Sequence, residues 1–368
     1  MKLLIPGPVT THPDVRTAMA ADFAPWDNDF RPLYAGIRKR LLALGGGSEA
    51  THGALPVQGS GHFGVEAALR SLLRPGERIL IPMTGSYAER MARLALEAGR
   101  EPVALPASRS APVDPDSIRL ALADPTIAMV GVVQSETSTG IVNDLAAIGA
   151  AAHGAGRRLL VDAVSAFGAL PLDLAAQPEI AAAVFTPNKC LEGMPGMAVV
   201  LARHDALLPP GTAGSWCLDL TDIRDHAQTR GWGSFRFTPP AQTLNALAVA
   251  LDRLEAEGRA GRLARYTANA AALREGMLAL GLRPVLEARH QGPIVSNILA
   301  PSGPTWDLQR FVDSLKKRGY LISNFYDTEA PSFRVGTIGV LDRTDFAAFS
   351  AAVGEALAEL PIRHRSAA

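Results

Sequence analysis

The run Ile127-Ala-Met-Val-Gly-Val-Val133 has no polar residue at any second position, so as a strand it can offer neither face to water. Such a strand must be covered on both sides, and its neighbours in the chain say by what. Arg78–Pro82 reads as a strand, 87–98 as a helix, Pro102–Leu105 as a short strand, 114–123 and 144–153 as helices, Arg158–Val161 as a strand, and the apolar runs Ala181–Phe185 and Met197–Ala202 as two more. The rhythm is that of βαβ units. It predicts an α/β fold, a mainly parallel mixed sheet sandwiched by helices, with ligands gathering at the carboxyl ends of the strands.

Three polar clusters fall at those ends: Gln134–Gly140, Asp162–Phe167 and Thr186–Gly196. The last holds Lys189. Only five of the 36 basic residues are lysines, and the other four (Lys2, Lys39, Lys316, Lys317) stand in charged or terminal settings. A lysine between two core strands is desolvated, which lowers its pKa and makes the neutral amine accessible, the state that Schiff-base chemistry requires. Alone, it reads sooner as a lysine whose stem packs while its head reaches water, and only the rest of the chain overturns that reading. Asp162 is open in the same way, as a turn cap or as a buried carboxylate that faces a cationic ring nitrogen. Glu136 and Thr137 fit hydrogen bonds around such a ring, and Thr137 equally fits a turn cap.

Upstream, Pro6-Gly7-Pro8 suits a segment laid across another surface, and 30–44 reads as a helix with Leu33, Ile37, Leu41 and Leu44 on one face, ended by Gly45–Gly47. Gly59-Ser60-Gly61 leads into a further helix, whose exposed backbone N–H groups suit a phosphate, although a plain helix entry has the same pattern. Downstream of Thr238-Pro-Pro240 the spacing predicts helices over 242–256, 262–279, 307–318 and 343–359, with strands at 282–286, 294–299 and 320–324. The expected organisation is therefore a segment 1–14 packed across the domains, a large α/β domain over 15–240, and a smaller α+β C-terminal domain over 241–368.

Acidic and basic side chains balance at 36 each, so no charge excess points to nucleic acid or an anionic membrane. The first apolar stretch is too short for a signal segment, no later one approaches a membrane span, and a cytoplasmic enzyme is expected. Cys190 and Cys217 make no disulfide framework, the eight histidines show no ligand spacing, and no metal is expected.

Taken together, Pro6-Gly-Pro8, Gln58-Gly-Ser-Gly61, Ser135-Glu-Thr-Ser-Thr-Gly-Ile141, Val161-Asp-Ala-Val-Ser-Ala-Phe-Gly168, Asn188-Lys-Cys-Leu-Glu-Gly-Met-Pro-Gly196, Leu218-Asp-Leu220, Arg236-Phe-Thr-Pro239 and Phe333-Arg-Val-Gly336 resemble the class V, fold-type I pyridoxal-phosphate aminotransferases over nearly the whole chain. Within that family the likeness is nearest to the branch that moves the amino group of 2-aminoethylphosphonate to pyruvate. The resemblance implies a pyridoxal 5'-phosphate cofactor, a Lys189 aldimine in a ping-pong transamination, and Asp162 on the pyridine nitrogen. It places Ser60, Gly61 and His62 at the phosphate or ring, Tyr87 as a stacking aromatic, Thr137 near the ring hydroxyl and Asn188 near the phosphate. Thr238 would reach the phosphate of a neighbouring subunit, which implies a homodimer with shared active sites, and Arg334 would hold the acidic end of the substrate.

Three departures bear on the donor. Ser323-Asn-Phe-Tyr326 stands where the phosphonate enzymes tend to read Tyr-Pro-Gly-Lys, and His62 and Trp216 replace smaller hydroxylated residues. Alanine–glyoxylate or serine–pyruvate transamination, a related small amine, cysteine desulfuration and plain nucleotide binding at the GSG turn remain alternatives, although no Walker pattern is present.

Overall fold

A computed structural model describes residues 1–302 and 306–359; the loose tail expected over about the last ten residues falls outside them. The chain begins with β1 (Lys2–Leu3), α1 (Pro13–Thr17), α2 (Phe30–Leu44), β2 (His52–Gln58), α3 (Gly61–Leu72), β3 (Arg78–Pro82), α4 (Ser86–Glu97), β4 (Glu101–Leu105) and α5 (Pro115–Ala121). It continues with β5 (Ile127–Val133), β6 (Ser135–Glu136), β7 (Ile141–Val142), α6 (Leu145–Gly154), β8 (Arg158–Asp162), β9 (Ile180–Phe185), β10 (Met197–Arg203), α7 (Leu220–Arg230) and α8 (Ala241–Glu257). It closes with α9 (Arg259–Ala279), β11 (Val295–Leu299), α10 (Leu308–Lys317), β12 (Tyr320–Leu321), β13 (Ser332–Gly336) and α11 (Arg343–Glu359).

Seven strands form the central sheet in the order β2-β10-β9-β8-β5-β3-β4. Only β10 is reversed, running antiparallel to both of its neighbours, while β9, β8, β5, β3 and β4 pair in parallel. The sheet has a covered core on each face. On one, α2, α5, α6 and α8 pack through residues such as Phe30, Ile118, Ile148 and Leu251; on the other, α3 and α4 pack through Leu69 and Met91. The all-apolar run 127–133 is explained by this arrangement, since both of its faces are under helices.

The smaller body has its own core of Leu273, Phe311, Phe333, Phe346 and Phe349. Sequence reading puts α8 in that body, but Leu244, Leu247, Leu251 and Leu254 lie in the same cluster as α2 and the sheet. Each such buried leucine contributes about 1.5–3 kcal/mol, so α8 is held to the larger body and we place the division near Gly258 rather than at 240.

Several local expectations shift. α2 has the expected ends, but its buried face is Phe30, Tyr34, Ile37, Leu41 and Leu42, which leaves Leu33 and Leu44 only partly covered. The expected 282–286 strand is reduced to one bridge, Pro284 to Ile298, because Pro284 has no N–H to continue a ladder. The 320–324 strand shortens to two residues. α7 has only a narrow buried stripe and no strong apolar period, so sequence reading misses it; the Asp219 carboxylate caps it, accepting from the Thr221 and Asp222 N–H groups at 2.9 and 3.1 Å.

The N-terminal segment runs between the two bodies. β1 pairs in parallel with β12, Val9 packs with Cys190, Tyr266 and Ile338, and α1 lies against Ala246 and Ala250 of α8. Among the described residues no helix is long and apolar enough to cross a membrane, and no group of three or more His, Cys, Asp or Glu is placed to hold a metal.

At Gly336 the strap meets β13 backbone to backbone. Its N–H donates to the Leu4 carbonyl at 2.8 Å, and a Cβ there would lie 2.4 Å from the carbonyl of Ile5. Gly336→Ala is expected to lower stability by about 1–3 kcal/mol through this overlap and to release the first ten residues to limited proteolysis. An unchanged urea midpoint together with unchanged cleavage would refute this account of the strap.

Candidate active site

β9, β8 and β5 are adjacent in the sheet, so their carboxyl ends bring the three polar clusters together. In register, Asp162 lies between Val133 of β5 and Val184 of β9. One chamber of about 140 Å³ opens above them, lined by Ser60, Gly61, His62, Tyr87, Asp162, Val164, Thr186, Asn188 and Lys189. A second, of about 470 Å³, is lined by Gly7, Tyr87, Lys189, Lys316, Ser323, Phe325 and Arg334 among others. Tyr87 and Lys189 belong to both and stand between them. A further cleft, about 620 Å³, lies elsewhere, beside α8 and α9; its Arg262, Arg265, Glu192 and Glu257 are paired with one another, so the chemistry is assigned to the two chambers.

Lys189 is 8% exposed. Burial pulls its pKa below the ordinary lysine range, with Tyr87 opposing and the charge of Arg334 adding to the fall. The first of these is the desolvation expected from the flanking apolar runs. Gly7, in the strap, has a positive φ of 142° and faces the lysine so closely that a Cβ would lie 2.4 Å from Lys189 Cδ.

Asp162 meets both of its sequence readings. Its Oδ1 accepts from the Val164 N–H at 2.9 Å, capping the turn, yet the carboxyl is buried and no cation lies within ion-pair reach of it among the described residues. Burial raises its pKa to about 6, with the nearby Glu136 adding to the rise and Lys189 opposing it. Such a carboxylate lacks only a positive partner.

Glu136 does not face the ring position. Its carboxylate accepts from the Ala88 N–H at 3.2 Å, the Tyr87 N–H at 3.4 Å and the Ser138 N–H and hydroxyl at 3.1 and 2.5 Å. It thus caps α4 and sets Tyr87 at the boundary of the chambers. Tyr87 stacks on His62, ring centroids 6.1 Å apart at 22°, while Arg90 sits over its ring at 4.9 Å. Burial, Arg90 and Lys189 all lower the His62 pKa, favouring the neutral imidazole.

Arg334 on β13 is 4% exposed. Its Nη1 donates to the Thr137 carbonyl at 3.1 Å, its Nε and Nη2 contact Ser323 Oγ at 3.4 and 3.3 Å, and its guanidinium lies over Phe325 at 4.5 Å. Among the described residues no carboxylate pairs with it. A buried guanidinium with neutral partners, on the wall of a chamber, has the charge and the fork to pair with an anion.

Pyridoxal phosphate can be tested against the smaller chamber. Thr186 Oγ1 is buried in its lining without a partner, whereas Thr137, whose Oγ1 is also buried and unpartnered, lines neither chamber; Ser60 stands at the N-terminus of α3 with no side-chain capping bond. Gly61 is as close as the wall allows, since a Cβ would lie 2.7 Å from Val164 Cγ2. An unpaired carboxylate for the ring nitrogen, free hydroxyls and a helix N-terminus for the phosphate are what the cofactor needs, so the residues fit it. Thr186 was not singled out from sequence; a polar residue directly after the 181–185 run was the available signal. Thr238 does not reach this chamber. It is exposed and lines a separate cavity with Phe63, Arg236 and Phe237.

Cys190 has no part in the chemistry. Burial pushes its thiol up to about 12, and its Sγ donates to the Ser165 carbonyl at 3.2 Å. Cys217 is exposed and lines the cavity of Thr238, not that of Lys189. Neither thiol is placed for desulfuration.

Residues 34–316 match the family model described as aminotransferase class-V. The chain is 42% identical to the 2-aminoethylphosphonate–pyruvate transaminase of Burkholderia ambifaria, over 98% of this chain and 96% of that one. It is 39% identical to the enzyme of the same name from Pseudomonas aeruginosa, over 98% and 97%. Among solved structures it is similar to pyridoxamine–pyruvate aminotransferase from Mesorhizobium loti, with a TM-score of 0.87 and 26% identity over 98% of this chain and 94% of that one.

Two outcomes test the chamber. Lys189→Ala is expected to bind pyridoxal phosphate yet give no covalent adduct on borohydride reduction, and an adduct in that variant would transfer the link to another lysine. Asp162 has a folded pKa of about 6 against about 3.9 unfolded, so its favourable contribution is complete below the unfolded value and is lost as the pH rises through 6. In cofactor-free protein Asp162→Asn should therefore be the more stable above pH 6, by up to roughly 3 kcal/mol at 1.36 kcal/mol per pKa unit. The advantage should vanish toward pH 4, whereas a gap independent of pH in urea unfolding would contradict the assignment.

Proposed function

The chain belongs to the class-V aminotransferases, and we propose that it moves the amino group of 2-aminoethylphosphonate to pyruvate, giving phosphonoacetaldehyde and alanine in a ping-pong cycle of phosphonate catabolism. The observation that carries the donor assignment is Arg334, buried and free of any carboxylate partner among the described residues, on the wall of the chamber that Lys189 also lines. The relatives named for this reaction, from Burkholderia ambifaria and Pseudomonas aeruginosa, support the same reading.

When bound, pyridoxal phosphate supplies the electron sink that makes a proton on the amine-bearing carbon labile and carries the amino group from one substrate to the other. The protein's residues do the rest. Lys189, kept accessible as a neutral amine by burial, takes that proton and returns it at the neighbouring position. Asp162 keeps the ring nitrogen protonated, a charge pair that its burial strengthens. Ser60, Gly61 and His62 at the start of α3, together with Asn188, hold the phosphate end, Tyr87 stacks on the ring, and Thr137 bonds near the ring hydroxyl.

Arg334 holds the phosphonate of the donor and, in the second half-reaction, the carboxylate of pyruvate, with a fork that matches either. A phosphonate dianion needs more than one donor. Lys316 of α10 lines the same chamber and supplies the second cation that the segment Ser323–Tyr326 lacks. Its exposure makes its share the smaller one, sensitive to salt.

Thr238 acts in this reading across a homodimer, on the phosphate of the second copy. Three exposed aromatic residues, Phe63, Trp216 and Phe237, at 49%, 68% and 39% exposure, lie on or beside its cavity and would be covered by that copy. The enzyme is taken to work in the cytoplasm.

The decisive measurement is kcat/KM for 2-aminoethylphosphonate beside alanine, serine, β-alanine and taurine, each with pyruvate. The phosphonate is expected to lead, and an α-amino acid ahead by more than about tenfold, roughly 1.4 kcal/mol in transition-state binding, would replace it as donor. Arg334→Ala should lose most activity with either class of donor, because a bound anion would be left buried without its pair.

A further inference from the structure

One face of α9 is polar where a helix buried between two cores ordinarily presents leucines. Arg262, Arg265, Tyr266 and Asn269 recur at i, i+3, i+4 and i+7 and so share that face. Arg262 is 1% exposed, and Tyr266 and Asn269 are fully buried.

One end of this stripe grips the turn that carries Lys189. Arg262 Nη1 donates to the Cys190 carbonyl at 2.6 Å, Arg265 Nη2 to Glu192 Oε1 at 2.8 Å, and the Tyr266 hydroxyl to the same Glu192 oxygen at 2.7 Å. Among the described residues Glu192 is the one non-glycine in the left-handed region, at φ 57°. That conformation is strained for a residue with a Cβ and persists only where the surroundings enforce it.

The other end grips the chain leaving β13, the strand of Arg334. Arg265 Nη1 donates to the carbonyls of Gly339 and Leu341 at 2.6 and 3.0 Å, and Asn269 Nδ2 to those of Thr337 and Leu341, both at 3.1 Å. The Gly339 N–H donates to the Tyr266 hydroxyl at 3.4 Å. Arg265 also donates to Glu257 from Nε and Nη2 at 2.7 and 3.1 Å, which engages all five of its N–H groups. Tyr266 touches both ends through a single oxygen.

Buried ionic groups are poor stabilisers beside well-packed apolar side chains, so stability alone does not account for this face. Directional bonds do what apolar packing does not: they set a separation and forbid sliding. We propose that this face of α9 is a strut that sets the distance from Lys189 to Arg334, and with it the length of amino donor that the site accepts. Arg265 and Tyr266 are its positioning residues and touch neither substrate nor cofactor. The inference rests on the reading of Lys189 and Arg334 as the two ends of the donor site.

The test uses the holoenzyme with Tyr266→Phe, which removes one oxygen, and Arg265→Met. For each, kcat and KM are measured with 2-aminoethylphosphonate and with 3-aminopropylphosphonate, one methylene longer, alongside borohydride trapping and Tm. The expected result is full trapping on Lys189, a KM for the shorter donor that rises more than kcat falls, and a short-to-long ratio of kcat/KM that drops by about tenfold. A ratio equal to wild type in both variants, whatever happens to Tm or trapping, would overturn the strut and leave a structural network. Should Arg265→Met fail to fold, Tyr266→Phe decides alone. If wild-type enzyme does not use 2-aminoethylphosphonate, the donor assignment fails by itself, and the ratio is taken between the best amine of the panel and its one-methylene homologue.

Discussion

Charge held out of water organises this protein. Lys189, Asp162 and Arg334 are each buried, and none has an opposite charge within ion-pair reach among the described residues. A fold that stopped there would carry several kcal/mol of uncompensated desolvation. What makes it tolerable is that Asp162 accepts and Arg334 donates neutral hydrogen bonds, while burial moves the pKa values toward the uncharged forms, downward for Lys189 and upward for Asp162. In the reading proposed above, the ligands bring the missing charges, a ring cation for Asp162 and an acid group for Arg334.

Because these groups come from different parts of the chain, the polar loop after β5 has to serve both bodies. Glu136 within it caps α4 and sets Tyr87. The carbonyls of Thr137, Ser138 and Thr139 accept from Arg334 and Asn297 on the strands of the smaller body. Buried carbonyls of an irregular segment must find donors somewhere, and here the donors are the side chains of Arg334 and Asn297. The strap from β1 to α1 seals the opposite side, with Gly7 against Lys189. Large and small bodies are therefore joined through the reaction centre as well as through apolar contact.

The sheet supplies rigidity to one half of this arrangement. Asp162 is the last residue of a central strand with paired neighbours on both sides, so its carboxylate has little freedom beyond rotation of its own side chain. Lys189 is three residues beyond the turn's first polar position, Thr186, and has no ladder to hold it. Its place depends on the bonds that reach the turn from α9, and on Gly193, whose N–H donates to the Pro187 carbonyl at 2.8 Å.

Much of this was written in local pattern. The strand periodicity from 78 to 202 and the position of polar clusters after three apolar runs specified the sheet and pointed to its carboxyl edge, because a strand under helices on both faces can carry polar residues only at its ends. The single core lysine and the carboxylate that ends β8 followed from the same rule. What the sequence left undecided depended on contacts between distant segments. Whether Glu136 faces a ring or caps a helix turned on α4 arriving at its side. The orphaned hydroxyl of Thr186, the place of Lys316 on the wall of the larger chamber and the packing of α8 with the larger body have no local signature. The face of α9 shows most plainly why: Arg262, Arg265, Tyr266 and Asn269 look like an exposed polar stripe in the sequence, and only the tertiary structure, by burying all but the half-buried Arg265 between Glu192 and the turn after β13, makes them a link between the turn of Lys189 and the strand of Arg334.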